Sequence, residues 1–241
     1  MIFAHRTDIG RRKTNQDFFH VPDEKEMQLA IVADGMGGHR AGEVASRKAV
    51  EAMLEYSEGK QALSPRELLE HAVSYANRSV FELACSDEEY AGMGTTIVAA
   101  YFENESFTFA NVGDSRLYHF SGERLTQLSS DHSLVEELVQ SGVITRRQAE
   151  GHPQRNILTR AVGCTHFVSA DIGTVRWKRG DIVMLCSDGL HGSVSEEEME
   201  RIIASNENLL DSCDELTETA LENGSSDNIT VVLVKNTGGA A

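Results

Sequence analysis

At Leu29–Glu43 the chain reads LAIVADGMGGHRAGE. The four apolar residues Leu29–Val32 predict a short buried strand that runs into Asp34, and a glycine-rich turn then leads into a helical pattern. Glycine at position 35 permits a positive φ, so the Gly35 carbonyl can turn toward the point that the Asp34 side chain faces. Oxygen ligands that converge in this way suit a hard divalent cation.

Two other interpretations of this turn stay open. A glycine-rich turn between a strand and a helix also binds dinucleotide phosphates, but Arg40 stands where the G-x-G-x-x-G pattern needs its third glycine. Asp34 would also repel an anionic pyrophosphate unless a cation lay between them. The remaining interpretation is an acidic turn without a ligand, since a single Asp-Gly pair is common in turns.

Composition limits the class of protein and its partners. The chain has 241 residues, of which 40% are hydrophobic, and its formal net charge is -16. A charge of this sign argues against nucleic acid or an anionic membrane surface as a partner, because both need clustered Lys and Arg. The four cysteines show no C-x-x-C spacing, and neither a signal peptide nor a membrane-spanning run is indicated. We therefore expect a protein of the cytoplasm.

Helices are predicted in two pairs. Helical periodicity covers Ala41–Tyr56 and resumes after Ser64, which forms a capping box with Glu67. A second pair is predicted from Ser195, at a similar capping box, and over Leu209–Leu221. Because helices arrive in pairs between groups of strands, a parallel βαβ sheet is disfavoured. An antiparallel sandwich covered by one helix pair on each face is predicted instead.

Strand patterns fill most of the remaining chain. Thr95–Phe102, Ser106–Val112 and Arg116–Phe120 are separated by short polar connections, which predict an antiparallel meander. Residues 129–163 are mostly polar and predict an excursion over the surface, with one helix, that can act as a mobile lid. Residues 1–235 are expected to form a single domain, and 236–241 a short disordered tail. Other strands are predicted at Phe3–Asp8, Asp17–Val21, Ala170–Val175, Asp181–Cys186 and Ile229–Val234.

Five aspartates lie at the edges of apolar strands: Asp17, Asp34, Asp114, Asp188 and Asp227. Any one of them alone is expected to be a helix cap or a turn residue. Strand ends at one edge of a sandwich can converge, and converged carboxylates raise each other's pKa unless cations neutralise them. More carboxylates than one ion needs predict two ions, and oxygen ligands favour Mg²⁺ or Mn²⁺ over zinc.

Six short motifs follow one another along the chain: RRKTNQD (11–17), VADGMGGH (32–39), GMGTT (92–96), NVGDSR (111–116), CSDGL (186–190) and SDNIT (226–230). Together they resemble the motif set of the PPM, or PP2C-type, protein serine/threonine phosphatases, most closely the bacterial branch. The resemblance implies an α+β fold, a four-layer α-β-β-α sandwich with two central antiparallel sheets. It also implies a binuclear Mn²⁺ or Mg²⁺ centre between the sheets, and residues 129–163 are similar to the family's flap.

The resemblance further implies which residues bind metal. Asp34 would bridge both ions, the Gly35 carbonyl would bind one ion, and Asp188 and Asp227 would bind the other. Asp114, together with Asp188, matches the position of a third and weaker metal site in bacterial relatives.

The resemblance also implies roles for residues that surround the metal ligands. Arg12 matches the family's arginine for the substrate phosphate, and its planar fork suits paired phosphate oxygens. Asp17 would hold metal-bound waters, and Asn228 would also lie just outside the ligands. The general acid stays open, because Met36 stands where eukaryotic relatives have a histidine directly after Asp-Gly. His39 is the candidate acid, with a helix cap or a contact to metal-bound water as the alternative.

The implied reaction is hydrolysis of phosphoserine and phosphothreonine in proteins. Two divalent ions about 3.5–4 Å apart can deprotonate a bridging water, and the hydroxide can attack phosphorus without a covalent phosphoenzyme. Expected partners are phosphoproteins, including a cognate serine/threonine kinase, and the chain is expected to be a monomer. His132, His152 and His191 are expected on the surface or in the flap. Two alternatives remain: a phosphohydrolase of small-molecule phosphates, and a non-catalytic relative that binds phosphoproteins.

Overall fold

The computed structural model describes residues 1–22, 28–38, 40–60 and 62–238, apart from the side chain of Glu150. Within these residues the chain forms eleven strands that pair in two antiparallel sheets. In chain order the strands are β1 (Ile2–Asp8), β2 (Asp17–His20), β3 (Leu29–Met36), β4 (Gly94–Thr95), β5 (Ile97–Phe102), β6 (Ser106–Val112), β7 (Arg116–Ser121), β8 (Arg124–Gln127), β9 (Asp171–Arg176), β10 (Ile182–Cys186) and β11 (Ile229–Lys235).

The two sheets bring distant parts of the chain together. The first sheet has the order β1-β11-β10-β7-β8, so the first and last strands of the chain are neighbours. The second sheet has the order β2-β3-β5-β6-β9, and β4 pairs with the end of β3. All of these pairs are antiparallel, which confirms the predicted antiparallel sandwich.

Two helix pairs cover the outer faces of the sheets. The helices are α1 (Ala41–Ser57), α2 (Pro65–Ser86), α3 (Leu134–Gln140), α4 (Arg146–Glu150), α5 (Asp188–His191), α6 (Glu196–Ser205) and α7 (Leu209–Glu222). Helices α1 and α2 share one apolar core with the second sheet, and α6 and α7 share another with the first sheet. A third apolar core fills the space between the sheets. The layers are therefore α-β-β-α, as expected.

Strand β3 shows why this arrangement buries so many consecutive apolar residues. Leu29 and Ile31 pack in the core under α1 and α2, whereas Ala30 and Val32 pack in the core between the sheets. Successive side chains of a strand point to opposite faces, so a strand with helices on one side and a sheet on the other has no polar face. This sandwiched strand carries Asp34 at its exit.

The predicted meander of three strands is wrong at its third strand. Strands β5 and β6 pair, but β7 lies in the other sheet, beside β10. Both faces of β6 and of β7 are buried: Phe107 and Leu117 face the core between the sheets, while Ala110 and Tyr118 face the helix layers. Because the two strands have the same apolar pattern, the pattern does not specify which sheet each one joins. The connection that carries Asp114 therefore crosses from one sheet to the other.

The chain ends and the polar excursion add smaller features. Helix α3 lies where the excursion was predicted to be helical, whereas α4 and β8 were not predicted. The expected disordered tail, 236–241, begins with an ordered residue: Asn236 is buried, and its backbone N–H donates to the Asp181 carbonyl. The last three residues of the tail, 239–241, lie outside the described part of the chain. None of the described helices is both long and apolar enough to cross a bilayer.

Candidate active site

The five aspartates come from five separate segments of the chain, each at or next to the end of a strand. Asp17 begins β2 and lies directly opposite Asp34 of β3 in the antiparallel register. Asp114 lies in the crossing between the sheets, Asp188 follows β10 at the start of α5, and Asp227 precedes β11. The pKa of Asp34 is raised well above its usual range by burial and by the charges of the other four carboxylates. Charges shift a pKa in this way only at short range, so the five carboxylates lie near one another; that they bind metal ions stays a prediction.

Three more members of this cluster have raised pKa values. Burial raises the pKa of Asp17 to about 7, against hydrogen bonds that favour its charged form. Burial and the charge of Asp188 raise the pKa of Asp114 to about 7. The pKa of Asp188 rises to about 6 through burial and the charge of Asp227, although a hydrogen bond with Asp34 opposes the shift. The cluster thus holds negative charge that the surrounding side chains only partly neutralise.

The donor atoms of the cluster fit divalent cations. Asp17 Oδ1 and Asp188 Oδ1 are buried and, within the described residues, have no hydrogen-bond partner. Unpaired buried carboxylate oxygens are costly, and a hard cation satisfies several of them at once. As the side chains stand, no three acidic, histidine or cysteine residues in the described part of the chain surround one point as ligands. Asp227 is engaged elsewhere, since its Oδ2 accepts a hydrogen bond from Arg12 Nη2 at 2.6 Å.

Arg12 reaches this position because its loop is fastened to the start of β11. Asn228 Nδ2 donates to the carbonyls of Ile9 and Thr14, and Asn228 Oδ1 accepts from the N–H of Gln16. A side chain at Gly10, where φ is +57°, would collide with the Asp227 carbonyl at 2.0 Å. Asn228 was expected just outside the metal ligands, and the structure shows its amide committed to the Arg12 loop.

Gly35 lies at a close approach of three chain segments. Its N–H donates to the Gln16 carbonyl at 3.0 Å. A Cβ on Gly35 would lie 2.0 Å from the Gly42 carbonyl and 2.7 Å from that of Gln16, so no side chain fits. The glycine therefore lets the Asp34 turn rest directly on α1 and on the Arg12 loop. That the Gly35 carbonyl binds an ion stays a prediction.

Hydroxyl groups that the sequence interpretation did not assign hold Asp34 in place. Thr96 Oγ1 accepts from the Asp34 N–H at 2.9 Å, and Thr95 Oγ1 donates to the Asp34 carbonyl at 2.8 Å. Thr96 Oγ1 also lies 2.6 Å from Ser115 Oγ, next to Asp114. The GMGTT motif thus ties together the turns that carry two of the aspartates. The position of this motif among the acidic turns is the only signal by which the sequence could have indicated such a role.

Asp17 has a similar support on its other side. Ser187 Oγ donates to Asp17 Oδ2 at 2.7 Å, and Ser187 Oγ itself accepts from the Thr230 N–H at 3.0 Å. Ser187, the residue before Asp188, therefore fixes the carboxylate of Asp17, which lies opposite Asp34 in the pairing of β2 with β3. Such a contact joins residues 170 positions apart in the chain, so local patterns do not reveal it.

Two of the histidines expected on the surface or in the flap contact the turn that carries Asp114. His191 is half-buried: its Nε2 lies 2.9 Å from the Asp114 carbonyl, and burial, with the charge of Arg116, lowers its pKa to about 3. His132 lies in the flap but is buried, and its Nδ1 accepts the N–H of Gly113. His39, the candidate general acid, lies outside the described residues.

The flap begins and ends on the same framework as Asp34. Val162 pairs with Thr95 through two backbone hydrogen bonds of 3.0 and 2.8 Å. At the other end, the backbone N–H of His132 donates to the Gly113 carbonyl. Residues 129–163 are thus anchored next to Asp34 and next to Asp114.

Known proteins share both the sequence and this architecture. The family model for protein phosphatase 2C matches residues 6–233. The serine/threonine phosphatase stp of Listeria innocua is 42% identical over 236 residues, which are 95% of this chain and 94% of the relative. The structure of the S. agalactiae serine/threonine phosphatase has a TM-score of 0.87 and 38% identity, over 96% of this chain and 98% of that one. The catalytic domain of the phosphatase PstP, solved in complex with two manganese ions, has a TM-score of 0.87 and 32% identity over 97% of both chains.

Proposed function

Because the chain belongs to the protein phosphatase 2C family and is a metal-dependent serine/threonine phosphatase, we propose that the aspartate cluster around Asp34 is its catalytic centre. The observation that carries this assignment is the group of buried carboxylates, with raised pKa values, beside the guanidinium of Arg12. An anionic cluster alone would repel a phosphate ester. It becomes a phosphate site once cations neutralise it.

The metal ligands follow from the positions of the carboxylates. The cofactor is Mn²⁺ or Mg²⁺, two ions per chain, for which we assign Asp34 as the shared ligand, the Gly35 carbonyl to one ion, and Asp188 and Asp227 to the other. Asp114 and Asp188 together form a third and weaker site. Divalent cations bound here supply an acidified water and neutralise the phosphate oxygens.

Arg12 and Asp227 exchange partners in this proposal. In the structure the guanidinium is committed to the Asp227 carboxylate. A bound cation competes for that carboxylate, and the freed guanidinium can then donate in parallel to two phosphate oxygens. Arg12 thus orients the phosphate, and Asn228 holds the loop that carries Arg12.

The groups around the metal ligands have separate roles. Asp17 lies opposite Asp34 in the register of β2 and β3, and we assign it to hold metal-bound water molecules. His39 remains our assignment for the acid that protonates the serine or threonine leaving group. This role rests on its place in the VADGMGGH motif.

Wider features of the proposal concern partners and organisation. The substrates are proteins that carry phosphoserine or phosphothreonine. The proposed partner is a serine/threonine kinase, whose phosphorylated products this enzyme hydrolyses. Residues 1–235 act as one domain and as a monomer, in the cytoplasm. The pairing of β1 with β11 and the free thiols of the four cysteines support one domain and a reducing compartment, respectively.

Turnover of a phosphothreonine peptide tests the function. We expect hydrolysis of the peptide with Mn²⁺, none after chelation, and much slower release of phosphate from free nucleotides. Faster turnover of nucleotides than of the peptide would favour a small-molecule phosphohydrolase. Peptide binding without any turnover would favour a non-catalytic relative.

A further inference from the structure

A groove of about 200 Å³ lies between the end of β3, the strand that carries Asp34, and residues 158–169. We propose that this groove, named here the Phe167 groove, binds an apolar side chain of the phosphoprotein substrate, two residues from the phosphorylated residue. The inference rests on the proposed function, since it concerns how the same centre selects its substrates.

The chemistry of the lining favours an apolar guest. Six of the ten residues that line the groove are apolar: Met36, Leu158, Ala161, Cys164, Phe167 and Val168. No Asp or Glu is among the described residues of the lining. A groove without acidic groups can lie beside a dianionic phosphate without repelling it. Its volume corresponds to about six or seven water molecules at about 30 Å³ each, the scale of one side chain and not of a cofactor.

Phe167 is presented to solvent by a loop that is held in place. Its side chain is 81% exposed, more than any other large apolar side chain in the described residues. The buried Asn77 of α2 donates to the carbonyls of Thr165 and His166, and Thr165 Oγ1 donates to the Phe167 carbonyl. The His166 ring lies 4.4 Å from the Phe167 ring. A fixed and exposed aromatic ring on a groove wall is typical of a binding surface.

Met36 joins the groove to the catalytic centre. It lies two residues beyond Asp34 on β3, so both side chains stand on the same face of the strand, about 7 Å apart along it. An extended peptide rises about 3.3 Å per residue and also alternates its side chains. A peptide whose phosphorylated residue reaches the Asp34 cluster therefore brings its second neighbour to Met36, with that side chain on the same side.

Arg160 on the rim does not change this preference. Its Nη1 donates to Asp171 Oδ1 at 2.8 Å and contacts the Ser169 carbonyl at 3.2 Å. The guanidinium is thus neutralised by Asp171, and burial of an apolar side chain is the main favourable term that the groove offers.

Phosphothreonine peptides with leucine or serine at each position within three residues of the phosphate test the proposal. We expect leucine to raise kcat/KM about tenfold over serine at one second-neighbour position, because the groove removes apolar surface from water. Phe167→Ser should reduce that ratio to below about twofold, and Phe167→Leu should keep most of it. Turnover of p-nitrophenyl phosphate, which has no side chain for the groove, should be the same in all of these proteins.

Val143→Ser provides the matched control. Val143 is an exposed apolar residue of the flap, 67% exposed, and it does not line the groove. Its variant should keep the leucine preference. A wild-type ratio below twofold at both second-neighbour positions would overturn the proposal, as would a preference that Phe167→Ser leaves intact. A wild-type dimer that Phe167→Ser dissociates would assign the groove to a second copy of the chain and overturn it too. Wild-type protein with Mn²⁺ that fails on p-nitrophenyl phosphate would instead contradict the proposed function.

Discussion

Arg12 Nη2 lies 2.6 Å from Asp227 Oδ2, although 215 positions separate the two residues in the chain. The contact joins the residue assigned to the substrate phosphate with a residue assigned to a metal ion. Both side chains keep access to solvent, with 53% and 31% of their surfaces exposed. An exposed ion pair of this kind contributes only about 0–1 kcal/mol, so a divalent cation can displace the guanidinium at little cost.

Replacement of Arg12 tests its role in substrate binding. Arg12→Ala should raise KM for a phosphopeptide about tenfold and lower kcat less, because the guanidinium binds substrate and transition state alike. Steady-state kinetics at saturating Mn²⁺ give both constants. Arg11→Ala, at the neighbouring exposed cation, should leave KM within about twofold. A fall in kcat with KM unchanged would contradict the assignment.

Replacement of the core aspartates separates activity from stability. Asp34→Asn, Asp188→Asn and Asp227→Asn should each lower turnover by more than about a hundredfold. Loss of a residue that only supports a metal ligand lowers activity by about a hundredfold at most, so a larger loss indicates a direct ligand. Asp34→Asn should also raise the melting temperature of the metal-free protein near pH 7, because folding must protonate the Asp34 carboxyl, whose pKa is raised by burial and by four other carboxylates. Glu218→Gln, at an exposed position of α7, should change neither property. Full activity in any of the three variants would refute the proposed ligand set.

The stability of the metal-free protein should fall as pH rises from 6.5 to 8. Asp17 and Asp114 have pKa values of about 7 in the folded chain against an ordinary value of 3.8. Between these values the folded chain binds protons that the unfolded chain has released, so protonation favours folding and deprotonation removes that contribution. His191 opposes part of this fall, because its pKa is lowered in the folded chain, whereas the unfolded residue still loses its proton near its ordinary pKa of 6.5.

Calorimetric melting temperatures at pH 6.5 and pH 8 provide the measurement. Asp17→Asn should show a smaller fall than the wild-type chain, since one of the two groups no longer titrates. Saturating Mn²⁺ should also reduce the fall, because it binds the ionised carboxylates. Melting temperatures that rise with pH in the metal-free protein would show that the cluster is not protonated in the folded state.

Replacement of Asp114 tests the proposed third metal site. Asp114→Ala should leave the two-metal core intact and yet lower turnover several-fold. Isothermal titration with Mn²⁺ should show one weak site fewer than in the wild-type chain. Unchanged stoichiometry would show that Asp114 does not bind metal.

Much of the framework could be predicted from local patterns. The capping boxes at Ser64 and Ser195 are both observed, because an N-terminal cap depends on residues only three positions apart. The apolar run in β3 also predicted a buried strand, since its two faces meet different cores. Such features depend on near neighbours and so can be read from sequence.

Other features depend on contacts that no local pattern contains. The crossing of β7 into the first sheet was missed because β6 and β7 have equivalent apolar faces. The pair of Arg12 with Asp227, and that of Ser187 with Asp17, join segments 215 and 170 positions apart. The aspartates were selected as candidates because each follows or precedes an apolar strand. The threonine and serine hydroxyls that hydrogen-bond to Asp34 and Asp17 have no comparable local pattern in the sequence.

Anomalous X-ray scattering from crystals containing Mn²⁺ tests the proposed centre most directly. We predict two strong peaks about 3.5–4 Å apart, with Asp34 in contact with both, Asp188 and Asp227 in contact with one, and Arg12 released from Asp227. Crystals with no peak at this cluster, and with the Arg12–Asp227 pair intact at saturating Mn²⁺, would contradict the assignment of these aspartates as the catalytic centre.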